Sequence, residues 1–311
     1  MCGITGYFCT EGDGIGWRDS TILSDLLTAG TVRGYDGTGV IFRDAGGKQD
    51  MWHMKKAVTG PELGILGDFG KWGKGFEGGR FVVQHNRAAT IGGVTDESTH
   101  PFSFEHVTGV HNGTFKAWRT MWPDSKQVVD SAALFEALNN TGETEDEILN
   151  VLKTLGYGAY ALVWHDARTN KLYFARNDQR PLYLCMTPDG LWFASERRML
   201  EWILNRNKET MLYGCELGIE TLVTIDVETG VGSSVQYDHN TAYNQHYKTD
   251  KDTTKQGWWK RDLGGGDSWN ATQEEFDAAL NERYGYSDTY YDDDDNKPLD
   301  PWDLLRHGGE E

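Results

Sequence analysis

Apolar residues fall along most of this chain in short runs. Such runs occupy Gly3–Phe8, Gly39–Phe42, Met51–Ala57, Phe81–Asn86, Val107–His111, Ala159–His165, Leu172–Arg176, Leu182–Met186, Leu191–Ala194 and Leu222–Asp226, and each is read as a strand. Several are apolar throughout, the pattern of a strand covered on both faces. Helical spacing takes over near Ser20–Thr31, where Ile22, Leu23, Leu26 and Leu27 line up. It returns near Asp130–Asn139, Glu145–Leu155 and Glu196–Asn205. Strands in blocks with helices between them predict layered packing, with sheets sandwiched between helices.

The pattern changes near residue 230. Residues 231–311 hold 18 Asp and Glu against 8 Lys and Arg, a balance of −10 within a total of −18. Asp292–Asp295 is a charge run, and Gly264–Gly266 has the composition of a linker. This stretch nevertheless keeps Trp258, Trp259, Trp269 and Trp302. It also holds a capping box, Thr272-x-x-Glu275, ahead of Phe276, Ala279 and Leu280. The expected organisation is one domain over residues 2–230 and an acidic, aromatic-containing tail over 231–311. That tail is read either as partly disordered or as a docking segment.

Charge and composition then remove whole classes of function. A net charge of −18 argues against a nucleic-acid-binding surface, which needs clustered Lys and Arg. No apolar run approaches the ~18 residues that a membrane span needs, and the start of the chain lacks a secretory pattern. The four cysteines, Cys2, Cys9, Cys185 and Cys215, have neither zinc-site spacing nor the density of a disulfide scaffold. The expectation is a cytoplasmic protein without metal or cofactor, in a setting that leaves a thiolate free to react.

Candidate chemistry begins at position 2. If Met1 is trimmed, Cys2 carries a thiol nucleophile and, on its own backbone, an α-amine with an ordinary pKa near 8 to take up the thiol proton. Standing alone, a Met-Cys start signifies little, but Gly3 and Gly6 beside it let backbone approach closely. Arg33-Gly34-Tyr35-Asp36-Gly37-Thr38-Gly39 forms a tight glycine turn into a strand. Arg87, at the end of a strand, presents a fork suited to a carboxylate, and Thr90 adds a hydroxyl. The stretch from Gly92 to Thr99 suits a closing loop, ended by His100-Pro101. Asn112 and Gly113 place a side-chain amide beside a backbone N–H, the pair that a developing oxyanion needs; the competing reading is an Asn-Gly hairpin turn. Asp130 opens a helical stretch, where it either caps the helix or meets an ammonium group.

In this order and spacing, Cys2-Gly3-Ile4, Arg33-Gly34-Tyr35-Asp36, His85-x-Arg87-x-x-Thr90, His100-Pro101, His111-Asn112-Gly113 and Asp130-Ser131 resemble the class II glutamine amidotransferase domain of the N-terminal-nucleophile hydrolases. Gly158–Leu162, Ala175–Asp178 with Arg180-Pro181-Leu182, and Ala194-Ser195-Glu196 extend the likeness to about residue 230. The resemblance implies an α+β fold, a four-layer αββα sandwich of the N-terminal-nucleophile hydrolase type, here with an acidic C-terminal extension. It implies that Cys2 attacks the glutamine side-chain carbonyl and that Asn112 and Gly113 hold the oxyanion. Arg87, Thr90, His100 and Asp130 would bind the substrate, with Arg33, Gly34, Tyr35 and Asp36 in support. The hexosamine-forming branch of the family has Trp where this chain has Ala88, other branches often carry an aromatic there, and the hexosamine-forming branch has His in place of Ile91. Three functions follow: a glutaminase that supplies ammonia to a synthase on another chain, a free-standing amidohydrolase of glutamine or a γ-glutamyl amide, or an inactive binding domain. The complete set of reacting residues favours the first two.

Overall fold

The computed structural model describes residues 2–10, 12–45, 51–65, 75–141, 144–155 and 158–238. Thirteen strands appear among them: β1 (Gly3–Cys9), β2 (Gly37–Asp44), β3 (Met51–Lys56), β4 (Gly79–Arg87), β5 (Phe102–Ser103), β6 (Val107–Thr114), β7 (Ala159–Asp166), β8 (Lys171–Arg176), β9 (Tyr183–Thr187), β10 (Gly190–Ala194), β11 (Tyr213–Glu216), β12 (Thr221–Asp226) and β13 (Gly232–Gln236). The helices are α1 (Trp17–Ala29), α2 (Gly60–Ile65), α3 (Trp118–Met121), α4 (Asp130–Asn140), α5 (Glu145–Thr154) and α6 (Arg197–Arg206).

Two antiparallel sheets carry the fold. One runs β11-β9-β10-β1-β4-β2-β3 and the other β13-β12-β8-β7-β6-β5. Strand alternation decides which side chain enters which layer. On β1, Ile4 and Phe8 join Val83, Val110, Val163, Phe174 and Phe193 between the two sheets. Tyr7 and Cys9 turn the other way, towards Ile22, Leu23 and Leu26 of α1 and Leu200 and Ile203 of α6. On the far side of the second sheet, Leu162 and Trp164 meet Leu134, Phe135 and Leu138 of α4 and Ile148 and Leu152 of α5. Three apolar layers between four layers of structure make an αββα sandwich, as the family resemblance implied. No helix among the described residues is long and apolar enough to cross a membrane.

The strands expected from apolar runs are present, most with ends within two residues of the expected ones. Expected helices at Ser20–Thr31 and Glu196–Asn205 are shifted by up to three residues as α1 and α6. Asn112-Gly113 is not a hairpin turn: both residues lie inside β6, paired with Ala161 and Tyr160 of β7. The capping box at Thr272 lies outside the described residues.

The second sheet continues past residue 230. β13 pairs with β12 from Thr221↔Gln236 to Ile225↔Gly232. Beyond it Tyr237 is buried, its hydroxyl 2.8 Å from that of Tyr160 and its N–H donating to Glu220 O at 2.8 Å. A chain cut after residue 230 therefore loses an edge strand and, with Tyr237, a buried aromatic ring and its hydroxyl contact to Tyr160. It should melt several degrees below a chain cut after residue 238, measured by thermal denaturation side by side. Equal melting temperatures would show that β13 contributes nothing to the sandwich.

Candidate functional site

Because Cys2 immediately precedes β1, its position is set by the ladder on both sides of that strand. Gly3 pairs with Asn86 of β4, and Thr5 pairs with both Gln84 of β4 and Ala194 of β10. Ser195 N donates to Ile4 O at 2.8 Å, continuing the β10 side. The Cys2 carbonyl accepts from Arg33 Nε at 2.9 Å, and the same guanidinium forms an ion pair with Glu196. Cys2 Sγ lies 3.4 Å from Ala88 N and 3.5 Å from Ala88 O. Burial pushes the Cys2 thiol up from its ordinary value, against the opposing pull of the Ala88 N–H and the charges of Arg87 and Arg33. A sulfur so placed keeps its proton until a base removes it.

The glycine turn that precedes β2 packs against the end of β4. Asp36 N donates to Arg87 O at 2.9 Å, and Asp36 Oδ2 accepts from Ala89 N at 2.8 Å. Gly34 sits so close to this segment that a Cβ there would fall 2.4 Å from the Arg87 carbonyl carbon, which explains a glycine at that point. Arg33, Gly34 and Asp36 thus hold the backbone on both sides of Cys2. Tyr35 is 69% exposed and turns away from that contact.

One pocket brings the expected residues together. It is lined by Cys2, Arg87, Thr90, His100, Gly113 and Asp130, with Ala88, Ile91, Ser98, Phe102, His111, Val129 and Ser131 completing the wall. Arg87 Nη1 donates to Gly93 O at 2.8 Å and Nη2 to Ile91 O at 2.9 Å, so the arginine also shapes the loop that follows it. Asp130 is the first residue of α4, yet it does not cap that helix; its Oδ2 accepts from Phe115 N at 2.7 Å. Asn112 lies beside the pocket and not on its wall, with Nδ2 donating to Ser195 Oγ at 3.3 Å. Gly113 does reach the wall. A Cβ on it would stand 1.8 Å from Ala159 O, so only glycine lets β6 pass there.

Histidines surround the pocket without carrying charge. His85 Nε2 donates to His111 O at 3.1 Å, joining the two sheets. His111 Nε2 donates to Ala159 O at 3.2 Å, which leaves Nδ1 to accept from Ser131 Oγ at 2.8 Å. His100 packs against His85 with ring centroids 4.0 Å apart and planes tilted by 39°. Neither ring nitrogen of His100 has a hydrogen-bond partner among the described residues. Burial lowers all three, His85 to about 3 and His100 well below the ordinary value. Among the described residues no group of three or more His, Cys, Asp or Glu is arranged to hold a metal ion.

Ser131, Val129, Ser98 and Phe102 in the wall went unremarked in the sequence, except that Ser131 followed Asp130. Alternation along β6 is the signal that separates neighbours there. It sends His111 to the helix side, against Phe115 and Ser131, and Asn112 to the interface between the sheets.

Residues 85–201 match the family described as "Glutamine amidotransferase domain". The chain is 27% identical over 213 residues to the glutamine–fructose-6-phosphate aminotransferase (isomerizing) of Pectobacterium atrosepticum, covering 64% of this chain and 32% of that protein. It is 25% identical over 210 residues to the enzyme of the same name from Helicobacter pylori, covering 64% and 33%. The chain thus spans about a third of the length of these curated relatives. Among solved structures, the allosteric regulatory enzyme of purine biosynthesis superposes with a TM-score of 0.58 at 22% identity, over 77% of this chain and 50% of that one. The glutamine phosphoribosylpyrophosphate amidotransferase of B. subtilis gives 0.57 at 20% identity, with the same coverage. These two likenesses speak for the fold.

The buried histidines have a consequence for stability. Folded His85 and His165 titrate at about 3 and about 4, against an ordinary value of 6.5. The unfolded chain therefore takes up these protons first. Stability is complete above about pH 6.5 and falls as pH drops, by roughly 1.4 kcal/mol per pH unit for each such histidine. Chemical denaturation at a series of pH values should show this slope between pH 6.5 and 4.5, and His85→Gln should flatten it by one proton's worth. An unchanged slope in that variant would mean that His85 is not held neutral.

Proposed function

We propose that this chain, which carries a class II glutamine amidotransferase domain, uses Cys2 to release ammonia from the side chain of glutamine. The observation that carries the reading is the gathering of Cys2, Arg87, Thr90, His100, Gly113 and Asp130 around one pocket. These residues are scattered over 129 positions of sequence, and together they match the functional groups of glutamine. The Arg87 guanidinium takes the α-carboxylate. The Asp130 carboxylate takes the α-ammonium, with Thr90 adding a hydroxyl. His100, neutral and with both ring nitrogens unpartnered, offers one donor and one acceptor to the bound amino acid.

The chemistry starts at the buried thiol. Excision of Met1 converts the Cys2 amide nitrogen into an α-amine, which takes the thiol proton as sulfur attacks the δ-carbonyl carbon. The carbonyl oxygen becomes an oxyanion, met by the Gly113 N–H and by the Asn112 N–H that Ser195 does not occupy. Collapse returns the proton to the leaving nitrogen, and ammonia departs. Water then attacks the glutamyl thioester, releasing glutamate and the thiol. The ammonia passes to a synthase domain. Residues 231–311 carry no phosphate-binding glycine motif, which supports an acceptor outside these 311 residues.

Two measurements test this reading. Purified protein should hydrolyse glutamine, intact mass should show loss of one methionine, and an electrophilic glutamine analogue should modify Cys2 and spare the buried Cys9. Full activity with Met1 retained would remove the base from the mechanism and overturn it. Separately, Asn112→Ala should lower kcat roughly 10²-fold or more while leaving the melting temperature near the wild-type value. A near-normal rate would take Asn112 out of the reaction.

A further inference from the structure

We infer that Ser195 is a positioning residue, which holds the Asn112 amide in register with the nucleophile across the interface between the two sheets. The inference rests on the proposed reading of Cys2 and Asn112. Ser195 follows the last residue of β10 and is buried. Its Oγ accepts from two donors: Ile4 N at 3.0 Å and Asn112 Nδ2 at 3.3 Å. Its own N–H returns a bond to Ile4 O at 2.8 Å. Ser195 and Ile4 are therefore tied in both directions, and Ile4 is two covalent links from Cys2.

The bond to Asn112 reaches a different sheet. β6 belongs to the six-stranded sheet and β10 to the seven-stranded one. Around this crossing the interface is apolar, with Ile4, Val110, Ala161 and Phe193 all fully buried. Van der Waals contact between such side chains allows small sliding; a hydrogen bond to a buried amide does not, since losing it strands a polar group away from water. Because one oxygen serves both Ile4 and Asn112, any shift of the amide relative to the nucleophile strand stretches a bond at the same atom. The next residue extends this control: Glu196 pairs with Arg33, whose Nε holds the Cys2 carbonyl. Attacking sulfur and oxyanion donor are thus both referred to the junction of β10 and α6.

Ser195 is not part of the pocket wall, so its effect on the reaction runs through Asn112. A displacement of about 1 Å in such a group can cost on the order of 10²-fold in rate. Ser195→Ala should lower kcat for glutamine roughly tenfold and leave KM within about twofold, because the groups proposed to bind the amino acid are untouched. Ser195→Cys preserves side-chain size with a weaker acceptor; it should show the same split with a near-normal melting temperature. In an Asn112→Ala background, Ser195→Ala should cost nothing further. An unchanged kcat in both single variants would overturn the inference, and so would an equal loss with and without Asn112. Failure of both single variants to fold would assign Ser195 to stability alone, also against the inference. If the wild-type protein does not hydrolyse glutamine at all, the functional reading itself falls.

Discussion

The site depends on β1 lying between β4 and β10 in the middle of its sheet. A strand in that place has its backbone N–H and C=O groups satisfied from both sides, so the residue at its mouth cannot drift without breaking ladder bonds. Cys2 occupies that residue's position. Its surroundings then follow from what the two neighbouring strands deliver at the same end. β4 ends at Arg87 and runs on into Ala88, which touches the sulfur; β10 ends at Ala194 and runs on into Ser195 and Glu196. The opposite sheet contributes the end of β6, with Asn112 and Gly113. A chemical group assembled from strand ends inherits the rigidity of the sheets while staying open to a ligand.

Rigidity at this point has an electrostatic cost, visible in the histidines. Three imidazoles are buried close to the pocket, and none can accept a proton cheaply there. Their value lies in being neutral. A neutral imidazole both donates and accepts, so His85 can bind the β6 backbone through one nitrogen and His111 can bridge Ala159 O and Ser131 Oγ. Asp130 from the start of α4 and Arg87 from the end of β4 both line the pocket.

Much of this was legible in the sequence because both inner sheets are covered on two faces. Continuous apolar runs such as Ala159–His165 then mark strands by themselves. The elements that escaped are those with little to bury. β11 alternates half-buried and exposed residues at an edge of the seven-stranded sheet, β13 is Gly-Ser-Ser-Val-Gln at an edge of the six-stranded sheet, and α3 is a single turn. The extent of the second sheet was missed for the same reason, since a polar edge strand carries almost no periodic signal. In the site, residues of reactive type were easy to nominate. Their supports stood in the quoted motifs without a role: Ser195 and Ser131 are ordinary residues until folding puts a particular nitrogen within bonding distance of them.

Asn112-Gly113 shows how local and tertiary constraints compete. The dipeptide favours a two-residue turn, with both residues in the left-handed region. In the fold it continues a strand, because the ladder to β7 supplies hydrogen bonds on one side and Ala159 O closes the space above Gly113. Glycine is kept there for its missing Cβ and not for turning. Gly113 itself lines the pocket, and the neighbouring Asn112 amide is held by Ser195. A residue pair that looks like a loop signal by propensity is thus kept in a strand that ends at the pocket, because the neighbouring strand forbids the loop.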